Sequence, residues 1–146
     1  MKQPLLNARR WLRQAEHDLE QAEKSAAGGA YSYAAFFSEQ AAQKALKAFL
    51  FQSGRRTVPI HSVAELAREA SRVEKAFEAL IGKGARLDRH YLASRYPDAL
   101  PEPAIPFESY TLEDAEEALT LARDVLDQAG KFITGPNLDP GDIKKP

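Results

Sequence analysis

The segment Lys83–Asp98 gathers the side chains with the most to offer chemically: Lys83, Arg86, Arg89 and Arg95, His90, and the tyrosines Tyr91 and Tyr96. An imidazole beside a guanidinium is the equipment of metal-free RNA cleavage. The imidazole moves a proton to or from a 2′-hydroxyl or a leaving oxygen. The guanidinium steadies charge on the phosphate. On a helix, Arg86 and His90 are four apart and share one face, which makes His90 the candidate acid/base and Arg86 or Arg89 the candidate phosphate contact. Asp88, Tyr91 and Arg95 fall on another face and, with Tyr96, form a candidate ligand-binding set. A second Arg–His pair, Arg56 and His61, stands at an x4 spacing on an earlier loop and is the alternative catalytic pair. The same residues also fit a plainer reading, a surface helix laced by pairs such as Asp88 with Arg86 or Arg95.

Two more basic groups stand out. Lys44 and Lys47, with Gln40 and Gln43, make a polar strip on an otherwise apolar helix. They either face solvent or line a cleft that holds ligand. Arg9, Arg10 and Arg13 surround Trp11, and this reads as an exposed helix face with the indole packed on a neighbour.

Much chemistry is excluded. The 146 residues include no cysteine, which removes disulfides, thiolate catalysis and cysteine-ligated metals. His17, His61 and His90 sit on separate elements without paired ligands, so no metal site is expected. There is no phosphate-cradling glycine loop and no Gly-x-Ser-x-Gly elbow, and no cofactor is expected. With 20 basic and 21 acidic residues the net charge is −1, so affinity for a polyanion must come from a local patch. No apolar run is long enough to span a bilayer, and the N-terminus lacks the apolar stretch of a signal peptide. A cytoplasmic protein without membrane partners is expected.

The elements that must position these groups are helices. Ala8, Leu12, Ala15, Leu19, Ala22 and Ala26 are spaced 4, 3, 4, 3, 4, a helical stripe closed by Gly28-Gly29. A second helix from about Tyr31 to Gln52 is apolar on most of its circumference and should be central. Ser62-Val63-Ala64-Glu65 has the form of a capping box. It opens a third helix with the stripe Val63, Leu66, Ala70, Val73, Phe77 and Leu80, stopped by Gly82 and Gly84. A short helix from about Ala85 to Ser94 follows. Pro97, Pro101, Pro103 and Pro106 then predict an extended loop without helix. Thr111–Asp114 opens a last helix carrying Ala115, Leu119, Ala122, Leu126, Ala129 and Ile133. The prediction is an all-α, up-and-down antiparallel bundle of four long helices and one short one. Residues 1–134 form the domain and 135–146 a disordered tail.

In order along the chain, several stretches carry a resemblance. Ala15–Ala22 fits Ala-x-x-Asp-Leu-x-x-Ala. Tyr33–Ala48, Gly54 and the loop to His61 follow. Tyr91–Asp98 fits Tyr-x-x-x-Arg-Tyr-Pro, and a helix rich in Ala and Glu closes the pattern. Over about Leu5 to Ile133 the chain resembles the HEPN domain, named for higher eukaryotes and prokaryotes nucleotide-binding. The resemblance implies a helical bundle, a homodimer and, for single-domain prokaryotic members, a minimal nucleotidyltransferase partner in a toxin–antitoxin pair. It also implies contact with RNA or a nucleotide. Many members of the superfamily are metal-independent ribonucleases with an Arg-x4–6-His motif at the late helix. Here Arg86 precedes His90 at x3 and Lys83 at x6, and the x4 spacing occurs at Arg56 and His61. Three expectations result: a nucleotide- or RNA-associated partner of a nucleotidyltransferase, a ribonuclease toxin, or a module whose bundle exists to pair with another chain.

Overall fold

The computed structural model describes residues 3–136, and they are all-helical, with no strand among them. Helix α1 (Pro4–Ala27) starts with a proline in its first turn, where no amide partner is needed. Ala8, Leu12, Ala15 and Ala22 of its stripe are buried. Gly29 ends it at φ +83°, a left-handed conformation that admits glycine without strain. The chain reverses directly into α2 (Tyr31–Gln52), which packs between α1 and α7 (Leu112–Phe132). Alanines at 34, 35, 41, 42, 45 and 48 are fully buried, and their small side chains let both neighbours approach closely. Thr111 and Asp114 complete a reciprocal capping box at the start of α7.

The senses follow from contacts at the helix ends. Arg9, near the start of α1, donates to the carbonyls of Ile133 and Gly135, just past α7. Gln52, at the end of α2, donates to Phe132 O and accepts from Thr134 N. Thus α7 runs antiparallel to α1 and in the sense of α2, as the fourth member of an up-and-down bundle does. Gly135, expected in the tail, is buried, and a Cβ on it would collide with the carbonyl of Leu5. The rest of that expected tail, from 137 on, lies outside the described residues.

The third long helix, expected over Val63 to Leu80, is not continuous: α3 (Val63–Ser71) gives way to a 3₁₀ helix (Lys75–Leu80). The short helix expected from about Ala85 to Ser94 is instead two, α4 (Ile81–Asp88) and α5 (His90–Ala93). Val73, expected in the core stripe, is 55% exposed at the break. Past the break, Phe77 and Leu80, three apart and so on one face of a 3₁₀ turn, both enter the core. Phe77 lies 4.3 Å from Phe49 and 5.4 Å from Phe132, centroid to centroid. Gly82 and Gly84 do not stop a helix; both lie inside α4. A Cβ on Gly84 would stand 2.7 Å from Ala64 N and 2.8 Å from Val63 C, so glycine there allows α4 to meet the start of α3 backbone to backbone. The proline stretch also differs from expectation. Tyr96 is extended as the residue before a proline should be, but Pro97–Ala99 forms a 3₁₀ turn and α6 (Pro106–Ser109) a single α turn, each led by proline.

Candidate functional site

Arg95 follows α5 and is held by rings rather than by a carboxylate. Its guanidinium carbon is 4.1 Å from the ring centre of Phe36, 4.9 Å from Tyr96 and 5.3 Å from Tyr91. Nη2 and Nε donate to the Tyr91 carbonyl at 2.6 and 3.2 Å. That carbonyl is free because the helix ends here; the buried Ser94 hydroxyl takes the neighbouring one, of His90. Among the described residues no carboxylate forms an ion pair with Arg95. The other candidate cations differ. Arg86 pairs with Glu117 at 3.0 Å, Lys83 with Asp124 at 2.6 Å and Lys44 with Asp18 at 2.6 Å. Arg95 therefore presents a fixed charge and unused N–H groups beside an exposed Tyr96.

Beneath the rings lies a polar chain whose buried member, Glu39, the sequence pattern does not single out. Glu39 stands three residues from Phe36 on α2, on the same face, and is fully buried. Gln40 Nε2 donates to one of its oxygens at 2.7 Å and Gln43 Nε2 to the other at 2.9 Å. Gln43 thus turns its own oxygen to Nδ1 of His61, 3.3 Å away, and Nδ1 is the donor of that contact. Nε2 of a neutral His61 is then left as an acceptor. The exposed His61 ring lies nearly parallel to Tyr91, 5.9 Å between centres. Tyr91 is so shared between His61 and Arg95. The available signal for Glu39 was a pair of polar residues, i and i+4, on a helix otherwise apolar at those angles.

Burial raises the Glu39 carboxyl from 4.5 to about 7, outweighing the hydrogen bonds from Gln43 and Gln40. Its folded value exceeds its unfolded one, so its contribution to stability is complete below about pH 4.5 and is lost as pH rises through about 7. That shift corresponds to about 3 kcal/mol. Glu39→Gln, measured by urea unfolding, should gain stability relative to the parent between about pH 5 and pH 8. Parallel pH profiles for the two proteins would contradict this.

His90 sits on the opposite side of α5. Its Nδ1 is 2.8 Å from the Tyr110 hydroxyl. Burial lowers the imidazole below its ordinary value and, with Asp114 nearby, pushes the Tyr110 phenol up to about 12. The phenol accordingly keeps its proton, and its contact with Nδ1 is a hydrogen bond whose donor is set by the tautomer of the ring. Asp114 and Glu117 face His90, and Glu117 already neutralises Arg86. This side is poorly suited to a phosphate. Arg89 and Arg56 are exposed; Arg89 acts on His90 through its charge, which helps to lower the imidazole, and Arg56 is not drawn into either cluster.

Asp88, expected on the ligand face with Tyr91 and Arg95, turns away from it. Its carboxylate accepts from Val63 N at 2.6 Å, Ala64 N at 3.2 Å and the Ser62 hydroxyl at 2.7 Å. It holds the N-terminus of α3, where free amides and the helix dipole favour a negative charge. The expected box is thereby half replaced: Ser62 accepts from Glu65 N, but the Glu65 carboxylate goes to Arg68. Asp88→Ala should cost about 2–3 kcal/mol, from a lost cap and a lost charge-assisted bond. Thermal unfolding should move down by about 5–10 °C, and an unchanged midpoint would refute that role. Lys44 and Lys47 lie away from the Arg95 rings. Lys47 is buried, its ammonium lies over Trp11 at 5.9 Å, and burial lowers its pKa. Trp11 packs on Phe51.

No three metal-ligating side chains converge among the described residues, and no helix there is long and apolar enough to cross a membrane. The family model for the HEPN domain matches residues 8–132. A Methanocaldococcus jannaschii protein named "Putative toxin MJ1304" is 35% identical over 134 residues, 86% of this chain and 88% of the relative. The crystal structure of TT1696 from Thermus thermophilus superposes with a TM-score of 0.81 at 36% identity, over 86% of this chain and 98% of that one. ST0689, described as an archaeal HEPN homologue, gives 0.70 at 35% identity, over 92% and 100%. A HEPN domain protein from Thermotoga maritima gives 0.66 at 29% identity, over 84% and 95%. With that family's model spanning its helical core and solved relatives matching almost end to end, the chain belongs to the HEPN domain family.

Proposed function

We propose that this HEPN protein is of toxin–antitoxin type and binds the phosphate of a nucleotide or RNA at Arg95, between Tyr91, Tyr96 and His61. It acts as a homodimer with a minimal nucleotidyltransferase as partner. The observation that carries the binding reading is the guanidinium held among three rings without a carboxylate. Such a group offers charge, a donor fork and adjacent aromatic faces for a base. The toxin–antitoxin setting is supported by the relative named as a toxin and by the family itself. The test has two arms. A fluorescent oligouridylate should bind the purified protein with salt-sensitive affinity, and tagged protein expressed in its native cells should bring down a nucleotidyltransferase. No affinity for the oligonucleotide overturns the ligand, and an empty pull-down overturns the partner.

A second reading, metal-independent RNA cleavage, is favoured by one observation: Gln43 orients His61 so that its Nε2 can accept a proton, on the Tyr91 ring that Arg95 also packs against. Incubation of the oligonucleotide in EDTA with parent, His61→Ala and His90→Ala proteins decides it. This reading expects cleavage by the parent and by His90→Ala but not by His61→Ala. Equal cleavage by all three, or none by the parent, removes it.

A further inference from the structure

The buried carboxyl of Glu39 has no part in binding or cleavage as proposed, yet it lies one helical turn from the ring on which Arg95 rests. Each of its oxygens accepts a single neutral amide, from Gln40 and from Gln43. Among the described residues neither oxygen has a cation within ion-pair distance. A fully buried carboxylate so placed is costly to ionise. The charges acting on it come from several elements: Lys47 along α2, Asp88 from α4 and Arg95 beyond α5, with His61 joined to it through Gln43; Lys44 is taken by Asp18. Of these, Asp88 opposes ionisation, while Lys47 and, more weakly than Asp88 acts, Arg95 favour it. Arg95 is also the charge that an incoming anion would engage.

We propose that anion binding at Arg95 is proton-linked through Glu39: the protein takes up a proton on Glu39 as a phosphodiester settles on the guanidinium, and releases it when the ligand leaves. The proposal rests on the reading of Arg95 as a phosphate site. While Glu39 is ionised, Arg95 is partly balanced from below, and a second negative charge must enter beside a buried first one. Protonation removes that repulsion and leaves the guanidinium to the ligand alone. By linkage the reverse holds: the bound anion raises the affinity of Glu39 for its proton. The burial that holds Glu39 near neutrality places this exchange in the range where a small change of pH matters.

The probe is the dinucleotide uridylyl-(3′→5′)-uridine, whose single phosphodiester keeps its charge throughout the measured range. Calorimetric titration in two buffers of different ionisation enthalpy reads affinity and proton uptake together. The parent should bind about five- to tenfold more tightly at about pH 6 than at about pH 8, with a fraction of a proton taken up per ligand near pH 7. Glu39→Gln should lose the greater part of both. Histidines in general change charge in this window, so parent and Glu39→Gln are also compared in a His61→Gln background, where the difference must persist. Because Glu39→Gln could disturb packing, the Glu39 carboxyl is followed by ¹³C NMR in the parent, where saturating dinucleotide should move its titration midpoint upward. Binding that is lost in Arg95→Ala but does not vary with pH overturns the linkage and leaves the phosphate site standing. A midpoint indifferent to ligand, or an undiminished pH effect in Glu39→Gln, overturns it as well. An absence of binding by the parent at every pH overturns both.

Discussion

An Arg95→Ala chain is expected to bind a short oligouridylate about 10–100-fold more weakly than the parent, the equivalent of about 1.5–3 kcal/mol for a charge-assisted hydrogen bond. The physical reason is fixation. Phe36, Tyr91 and Tyr96 hold the guanidinium on three sides and the Tyr91 carbonyl orients its fork, so little rotamer freedom remains for a ligand to freeze. Arg95→Lys should recover only part of the loss. An ammonium brings the charge but neither the planar stacking nor the paired donors. The slope of log affinity against log salt should fall by about one phosphate contact, or about 0.7 for a single strand, in Arg95→Ala. Fluorescence anisotropy across a salt series reads both quantities. Unchanged affinity in Arg95→Ala would make the residue a packing element of α5 and its ligand role would be gone.

Phe77→Ala should be the most damaging single core truncation of the middle segment, at about 3–5 kcal/mol. Phe77 is fully buried and bridges Phe49 of α2 and Phe132 of α7. It joins the broken segment to both long helices at once. For a chain of this size the thermal midpoint should drop by about 6–20 °C. A Phe77→Leu protein should lose less than half of that, because most of the volume stays filled. The near-neighbour Val73→Ala should change little, since its side chain is 55% exposed, and the pair of results tests where the helix breaks. Equal losses at 73 and 77 would restore the continuous helix predicted from spacing.

That spacing shows what could and could not be read from the residues. The stripes of α1 and α7 and the nearly all-apolar α2 predict the bundle correctly, because each helix is long and its period repeats several times. The stripe from Val63 to Leu80 misleads for a specific reason. A 3₁₀ turn also places residues three apart on one face, so Phe77 and Leu80 fit either geometry. Gly84 misleads because a glycine required by close backbone approach looks the same in sequence as one that ends a helix. At the candidate site, Tyr91, Arg95 and Tyr96 were visible as a basic–aromatic cluster on one short stretch. Their base was not. Phe36, Glu39 and Gln43 come from a helix some fifty residues earlier, and no local pattern ties them to Arg95. His90 was visible as an imidazole near arginines, but its hydroxyl partner Tyr110 and the carboxylates of α7 arrive only with the fold. Asp88 was misplaced for the same reason: the amides it holds belong to α3.

The grip of Arg9 and Gln52 on the carbonyls at and just past the end of α7 has an architectural consequence. It brings Gly135 onto the backbone of Leu5, so the helical core closes on itself where its first and last described turns meet. A short glycine–serine bridge between these points would span almost no distance, and the exposed Gly28-Gly29 reversal offers a place to cut. The bundle is thus suited to circular permutation. A permuted chain opened at Gly28-Gly29 would carry every residue of the Arg95 cluster on one uninterrupted stretch, with Phe36 close to its new N-terminus, and would convert the α1–α2 connection from a tight turn into a pair of free ends.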